Sequence, residues 1–146
     1  MKKETVELHT IWSQWHRLAH WTLALSTLAL MATGWLIEHT STVAQAASDW
    51  HYIAGSLFSL ALLLRIWLLF SEKGMAHIQH LIQDIQPTKM RAMLQFYLSF
   101  GKSPLPRWYA HNPLWAPVYL FIFAFMVVLA LSGHLQSNHP ILLGLY

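Results

Sequence analysis

The sequence contains no cysteine. This absence excludes disulfide bonds, iron–sulfur clusters held by thiolates, haem attached through a C-x-x-C-H motif, and cysteine nucleophiles. A metal ion in this protein must therefore be held by histidine or methionine. The sequence also lacks the phosphate-binding P-loop, the H-E-x-x-H zinc motif and the serine elbow, so nucleotide and hydrolytic chemistry have no support.

Charged residues are scarce, at 10% of 146 residues against 55% hydrophobic residues. This balance is far from that of a soluble domain. Three stretches match the ~20 apolar residues that cross a bilayer, and they cover approximately residues 18–37, 50–70 and 114–132. The sequence therefore predicts an all-α integral membrane bundle, with residues 1–146 forming one transmembrane domain of three helices.

Basic residues are missing from one side of the predicted membrane. All nine lysines and arginines lie before the first span, near the end of the second, or in the loop 71–113. The segment 38–49 and the tail after His134 contain none. By the positive-inside rule, the N-terminus and the loop 71–113 face the cytoplasm. The net charge of +3 reflects this bias and does not indicate nucleic-acid binding.

The loop 71–113 is amphipathic rather than disordered. Its residues 90–100 predict a short helix in the membrane interface, and Gly101, Pro104 and Pro106 stop that helix. We therefore expect this loop to rest against membrane lipid.

Two histidines lie at the starts of consecutive apolar spans, His20 in the first and His51 in the second. Consecutive spans run antiparallel, so the two side chains lie at opposite membrane surfaces. A residue 14 positions further on returns to within ~40° of the same helix face, ~21 Å away; these residues are Gly34 after His20 and Arg65 after His51. Intramembrane histidines are functional candidates, and two at different depths predict two cofactors stacked across the bilayer.

Two further residues precede His20 by about one turn. His16 shares its helix face, which suits a shared metal, although its position at the interface favours a solvated histidine. Arg17 and Arg65 both lie at the inner level, where each can pair with an anionic group of a cofactor. Arg65 can also extend its charge to the cytoplasmic surface, and the two roles are compatible.

Glycines near the outer ends of the spans allow two interpretations. Gly34 and Gly55 permit close helix packing, which membrane bundles favour. Gly55 also lies one turn after His51 on its face, which leaves room for a flat macrocycle. Spacing alone does not separate these interpretations.

His111 and His134 bracket the third span. They are 23 residues apart, or ~35 Å along a helix, which exceeds the ~30 Å hydrocarbon core. We therefore expect both in head-group regions, as caps or proton carriers rather than ligands, although they remain candidate ligands.

Six short motifs identify a resemblance to a known family. They are Arg17-Leu18-Ala19-His20-Trp21, Thr33-Gly34, Trp50-His51-Tyr52-Ile53-Ala54-Gly55, Leu64-Arg65-Ile66-Trp67, Tyr97-Leu98 with Gly101-Lys102-Ser103-Pro104, and His111-Asn112-Pro113-Leu114. In these motifs the chain resembles the membrane cytochrome b subunit of nickel–iron hydrogenases, within the wider prokaryotic cytochrome b561-type group. The resemblance covers about residues 10–135.

The resemblance implies a cofactor and a role. Such proteins have four spans that hold two b haems by histidine pairs, and they pass electrons between a periplasmic metalloenzyme or cytochrome subunit and membrane quinone. It implies a bacterial inner membrane, in which His20 binds the cytoplasmic-side haem and His51 the periplasmic-side haem. A haem propionate would then be the anionic group with which Arg17 and Arg65 can pair. The chain would then be a non-catalytic electron-transfer subunit and membrane anchor.

The chain departs from this pattern in one respect. The resemblance implies opposing ligands on a fourth span, whereas the sequence ends at Tyr146 after three. Either the sequence is incomplete, or ligands come from a partner, a second copy of the chain, or His111 and His134. We favour an incomplete sequence because the last segment, 141–146, does not end in polar residues.

Two other functions remain open at this point. One is a self-contained quinone oxidoreductase of the cytochrome b561 type that oxidises a small reductant, and the other is a haem-free membrane anchor. The basic loop 71–113 with its His-Asn-Pro turn resembles the hydrogenase-type subunit more closely. A reduced-minus-oxidised spectrum separates the haem proteins from the anchor.

Overall fold

A computed structural model describes residues 12–72, 77–108 and 111–143. These residues form five helices and no strand: Gln14–His39 (α1), Ala44–Ser71 (α2), Ile78–Asp84 (α3), Pro87–Leu98 (α4) and Ala116–Leu143 (α5). Three stretches are long and apolar enough to cross a membrane, namely α1, α2 and Ala116–Gln136 of α5. The predicted all-α membrane bundle with three spans is confirmed. Helices α1 and α2 extend beyond their apolar windows at both ends, and the third span extends beyond its window only at the end.

Helices α1 and α2 form an antiparallel hairpin. Ser13 caps α1 by accepting a hydrogen bond from the backbone N–H of His16 at 3.2 Å, which satisfies one of the free N–H groups of the first turn. At one end of the hairpin Thr33 of α1 contacts His51 of α2, and at the other end His16 contacts Glu72. We call the end with Ser13 and Glu72 the inner end, and the end with His51 the outer end.

The hairpin and α5 share a small apolar core. Leu23 of α1 and Phe58, Ala61 and Leu62 of α2 are buried together, and one face of α5 packs against them. Many large apolar side chains remain exposed, for example Trp67 at 69%. Lipid tails are as apolar as these side chains, so the hydrophobic effect does not drive them inward, and small residues instead allow close helix approach. The exposed apolar surface is therefore the surface expected to face lipid.

The third span begins later than expected because a turn precedes it. The carbonyl oxygen of Asn112 accepts the N–H groups of Trp115 at 2.9 Å and Ala116 at 3.0 Å, and its side chain accepts the N–H of Leu114 at 3.0 Å. His111 thus lies outside α5. The expectation of ~35 Å along a continuous helix between His111 and His134 is therefore wrong, because only His134 is helical.

The loop between α2 and α5 contains two short helices where the sequence predicts one. The expected helix at 90–100 is α4, which begins at Pro87 and ends at Leu98. Proline suits the first helical turn because N–H groups there have no acceptor within the helix, so the N–H that proline lacks costs no hydrogen bond. The turn after α4 uses Gly101 with a φ of 79°, a left-handed conformation that glycine adopts without strain. Helix α3 was not predicted; its cap is the His77 side chain, which accepts the N–H of Gln79 at 3.1 Å.

Candidate functional site

A cavity of about 400 Å³ opens at the inner end of the bundle. Five residues named from the sequence meet around it: His16, Arg17, His20, Arg65 and His111. The rest of the lining is aromatic or amide in character: Trp12, Trp21, Asn112 and Tyr119. The start of α1, the end of α2 and the turn before α5 all contribute to it, so residues that are distant in sequence converge here.

His16 is buried, with 1% of its surface exposed. Its Nδ1 lies 2.8 Å from Oε2 of Glu72, and the hydroxyl of Ser13 donates to Oε1 of the same carboxylate at 2.5 Å. An ionised carboxylate only accepts hydrogen bonds, so Nδ1 of His16 carries a hydrogen. The expectation of a solvated interfacial histidine is wrong, because the end of α2 covers His16 with Glu72.

Two polar atoms in the cavity wall are buried without a hydrogen bond among the described residues: Nε2 of His16 and Nη1 of Arg65. A buried polar atom without a partner costs roughly 1–3 kcal/mol. Both residues line the same cavity. A polar or anionic ligand in the cavity would remove this cost, so the cavity is suited to such a ligand.

Aromatic rings hold Arg65 at the cavity. Its guanidinium lies 5.4 Å from the ring centroid of Trp12 and 6.0 Å from that of Phe123. Such cation–π contacts stabilise a guanidinium by about 0.5–2 kcal/mol. They direct the charge toward the interior of the inner end, where an anionic group of a cofactor can reach it.

His20 and Arg17 are exposed at the cavity. The His20 ring meets Trp21 edge-on, at 5.8 Å between centroids. His111 meets Trp12 at 5.3 Å and Tyr119 at 5.2 Å, both edge-on. The structure therefore brings His20 and His111 to one level of the bundle, at the inner cavity.

His51 marks the outer end of the hairpin. Its Nδ1 lies 2.9 Å from Oγ1 of Thr33. A methyl group built on Gly34 would lie 3.7 Å from Cε1 of His51, and one on Gly55 would lie 3.8 Å from Leu30. At both glycines the nearest atoms belong to the partner helix of the hairpin, which matches the packing interpretation. The macrocycle interpretation stays a prediction.

His134 contacts α2 from the third span. Its Nε2 lies 3.1 Å from Oγ of Ser59, and that hydroxyl also donates to the carbonyl of Gly55 at 2.9 Å. Ser59 follows His51 by eight residues, or about 12 Å along the helix. His134 therefore lies between the levels of His51 and the inner cavity.

The two main histidines are far apart. Thr33, which contacts His51, follows His20 by 13 residues on α1, a separation of about 20 Å along the axis. In the described ranges no cluster of three or more His, Asp or Glu could hold a free metal ion. A single histidine can also serve as an axial ligand of a metal that brings its own equatorial ligands.

Sequence reasoning missed the oxygen partners of the histidines. Glu72 and Ser13 were not singled out, and Thr33 was noted only within a motif. The register of the hairpin is the signal that could have found Glu72. Gly34 of α1 faces His51 of α2, and the two helices are antiparallel. His16 lies 18 residues before Gly34 and Glu72 lies 21 residues after His51, so both residues reach the same end of the hairpin.

These features define a multi-pass helical membrane protein with histidines at two depths and an arginine-lined cavity at one end. A family model described as prokaryotic cytochrome b561 matches residues 11–144. The chain belongs to this family. Membership implies haem b as the cofactor and electron transfer in the membrane as the role. Comparison with curated proteins and with solved structures gives no match.

The residues of the inner end fit such a cofactor. Haem b carries two propionates, and Nη1 of Arg65 is a buried donor in need of an acceptor. Arg17 adds a second guanidinium at the cavity, and His20 adds an imidazole. Charge-assisted bonds between guanidinium and carboxylate are among the strongest hydrogen bonds in proteins, so this donor set matches haem chemistry.

Proposed function

We propose that this chain is a b-type haem electron-transfer subunit and membrane anchor that passes electrons between a periplasmic redox partner and membrane quinone. The observation that carries the proposal is the separation of His20 and His51 toward opposite ends of one hairpin, in a chain that matches the family over residues 11–144. Two histidines about 20 Å apart along the axis serve separate haems, one near each membrane surface.

At the inner end, His20 is the proposed axial ligand. Arg65 and Arg17 are the proposed propionate partners, since both line the cavity with His20. The aromatic contacts of Arg65 with Trp12 and Phe123 hold its guanidinium in place before the cofactor arrives. Such preorganisation lowers the entropic cost of binding.

At the outer end, His51 is the proposed axial ligand. Gly34 lies against its ring and leaves it space. His16, His111 and His134 remain candidates for opposing ligands, as do histidines of a partner or of a second copy of the chain. His16 and His111 line the inner cavity and therefore belong with the level of His20, whereas His134 lies beside Ser59, between the two ends.

Bound haem supplies a one-electron couple whose potential depends on its axial ligands, burial and hydrogen bonds. The chain's own residues bind the propionates, fix the imidazoles and enclose the site in an apolar bundle. The orientation in the membrane is also part of the proposal. We assign the inner end to the cytoplasm because the described basic residues belong to that end. The outer end then faces the periplasm, where a hydrogenase-like metalloenzyme is the proposed partner.

Difference spectra of membranes containing His20→Ala, His51→Ala or His39→Ala test the ligand assignment. Each of the first two substitutions should remove one haem component and leave part of the other. His39 is the control because it is exposed at the end of α1 and its polar contacts among the described residues are with Trp35 of its own helix and with the adjacent Glu38. Unchanged spectra in both ligand variants would contradict the proposal. Co-purification of a large metalloenzyme would distinguish the subunit from a self-contained oxidoreductase.

A further inference from the structure

The hydroxyl of Thr33 contacts three groups, of which the carbonyl oxygen of Leu30 is the most distant at 3.3 Å. Its Oγ1 lies 2.7 Å from the carbonyl oxygen of Ala29 and 2.9 Å from Nδ1 of His51. A hydroxyl has one hydrogen to donate and lone pairs to accept with. The carbonyl of Ala29 can only accept, so the Thr33 hydrogen points to it, as is usual for threonine within a helix.

This direction of donation determines where the hydrogen of His51 lies. With its own hydrogen directed at Ala29, Oγ1 of Thr33 presents a lone pair to Nδ1, which must therefore donate. The opposite arrangement would place two lone-pair oxygens 2.7 Å apart without a hydrogen between them. A neutral imidazole with its hydrogen on Nδ1 has its lone pair on Nε2. Nε2 is then the nitrogen that can bind a metal.

We propose that Thr33 is a positioning residue for His51: it fixes the Nδ1–H tautomer and the ring orientation, so that Nε2 binds the haem iron. The inference rests on the proposed function, which names His51 as a ligand. It goes beyond that function because it assigns the ligating atom and the residue on the other helix that selects it.

Gly34 leaves space for the ring in this orientation. Cε1 of His51 lies 3.7 Å from the position that a Cβ atom on residue 34 would take. The hydrogen bond at Nδ1 therefore orients the ring, and the next residue of α1 presents no side chain to the adjacent ring atom.

The proposed role has a measurable consequence for the cofactor. A hydrogen bond accepted from Nδ1–H orients a ligating imidazole and raises its electron donation to the metal. Stronger donation stabilises ferric over ferrous iron, so loss of the bond should raise the midpoint potential of the outer haem. Loss of a partner of this kind costs 10–100-fold in metal affinity, and a neutral hydroxyl should lie near the lower limit, about tenfold.

The test compares Thr33→Val, Thr33→Ser and Thr27→Val in the purified full chain with its haem. Valine keeps the shape of threonine and removes the hydroxyl, whereas serine keeps the hydroxyl. Thr27 is a matched control because its hydroxyl donates to the carbonyl of Leu23 at 2.7 Å in the same helix and its residue is exposed. The measurements are haem content per chain and a redox titration followed optically.

We expect Thr33→Val to raise the midpoint potential of the component that His51→Ala removes and to lower its haem content about tenfold or less. Thr33→Ser should restore both, and Thr27→Val should change neither. Thr33→Ala provides a second variant without a hydroxyl if the valine variant does not fold.

Two results would overturn the inference. One is a Thr33→Val protein with unchanged potential and haem content, and the other is an equal change in Thr27→Val, which would indicate a general effect on α1. If His51→Ala itself leaves both haem components intact, the ligand assignment of the proposed function fails. That outcome is distinct, because it concerns His51 alone and not its bond to Thr33.

Discussion

Nδ1 of His16 lies 2.8 Å from Oε2 of Glu72, a hydrogen-bonded contact that joins the first turn of α1 to the residue after the last turn of α2. The histidine is buried and 23% of the Glu72 side chain is exposed. Ser13 binds the second carboxylate oxygen and also caps α1. The same three residues therefore close the inner end of the hairpin and hold an imidazole at the cavity wall.

Replacement of Glu72 by Gln should weaken this closure. Glutamine keeps the size of the side chain and loses the charge, so His16 keeps a neutral acceptor in place of a carboxylate. We expect the free energy of unfolding to fall by about 1–1.5 kcal/mol, the difference between a hydrogen bond to a charged acceptor and one to a neutral acceptor. Thermal unfolding of the purified protein in detergent measures it.

Glu38→Gln is the matched control for this experiment. Its carboxylate is 78% exposed and lies 4.0 Å from His39, and exposed pairs of this kind contribute about 0–1 kcal/mol. If the Glu72→Gln and Glu38→Gln proteins unfold at the same temperature, the contact between His16 and Glu72 does not stabilise the hairpin.

The fold was largely predictable because the length of an apolar run is a local property of the sequence. The three spans follow directly from it. The interfacial helix at 90–100 was also predicted, and the structure shifts its start to Pro87 because proline suits a first turn. Helix α3 was missed because its cap is the side chain of His77, which is an uncommon capping residue.

The site was less predictable because its contacts join distant segments. His16 was expected to be solvated on the basis of its neighbours, and Glu72, 56 residues away, buries it. His111 was treated as part of a helix, whereas it precedes the turn at Asn112 and contacts the ring of Trp12. Both errors have the same cause. Helix periodicity was applied to His16 and His111, whereas contacts with a second segment of the chain determine the environment of each side chain.

Replacement of Arg65 by Leu should lower retention of the inner haem or shift its midpoint potential. Leucine removes the guanidinium from the cavity and from the Trp12 ring, so a propionate loses a charged donor. Arg65→Lys should have an intermediate effect, because lysine keeps the charge but lacks the planar fork. A redox titration of both variants, with haem content, provides the measurement.

Arg107→Leu is the control for charge alone, since Arg107 is exposed in the loop before the third span. If the Arg65→Leu and Arg107→Leu proteins give the same redox titration curve, Arg65 does not bind a propionate. Its remaining role is then to extend its charge to the membrane surface.

Substitutions of Gly34 should distinguish space for an imidazole from general helix packing. Gly34→Ala places its methyl group 3.7 Å from His51, an ordinary contact, and should be tolerated. Gly34→Leu extends further and should displace the ring, so the outer haem component should weaken while the inner one remains. Gly133→Leu is the control because, among the described residues, a Cβ atom built at Gly133 meets no side chain and no other segment within 4 Å. Equal spectra for Gly34→Leu and Gly133→Leu would contradict this role of Gly34.

The absence of cysteine makes the proposed topology directly testable. Thr42→Cys introduces one thiol in the exposed turn between α1 and α2, and Lys102→Cys introduces one in the exposed loop after α4. A membrane-impermeant maleimide should label the first in intact spheroplasts and the second only in inverted vesicles, because the basic residues keep the loop cytoplasmic. Labelling after detergent treatment provides the control for reactivity. The reverse pattern would move the inner cavity to the periplasmic face and with it the proposed site of each haem.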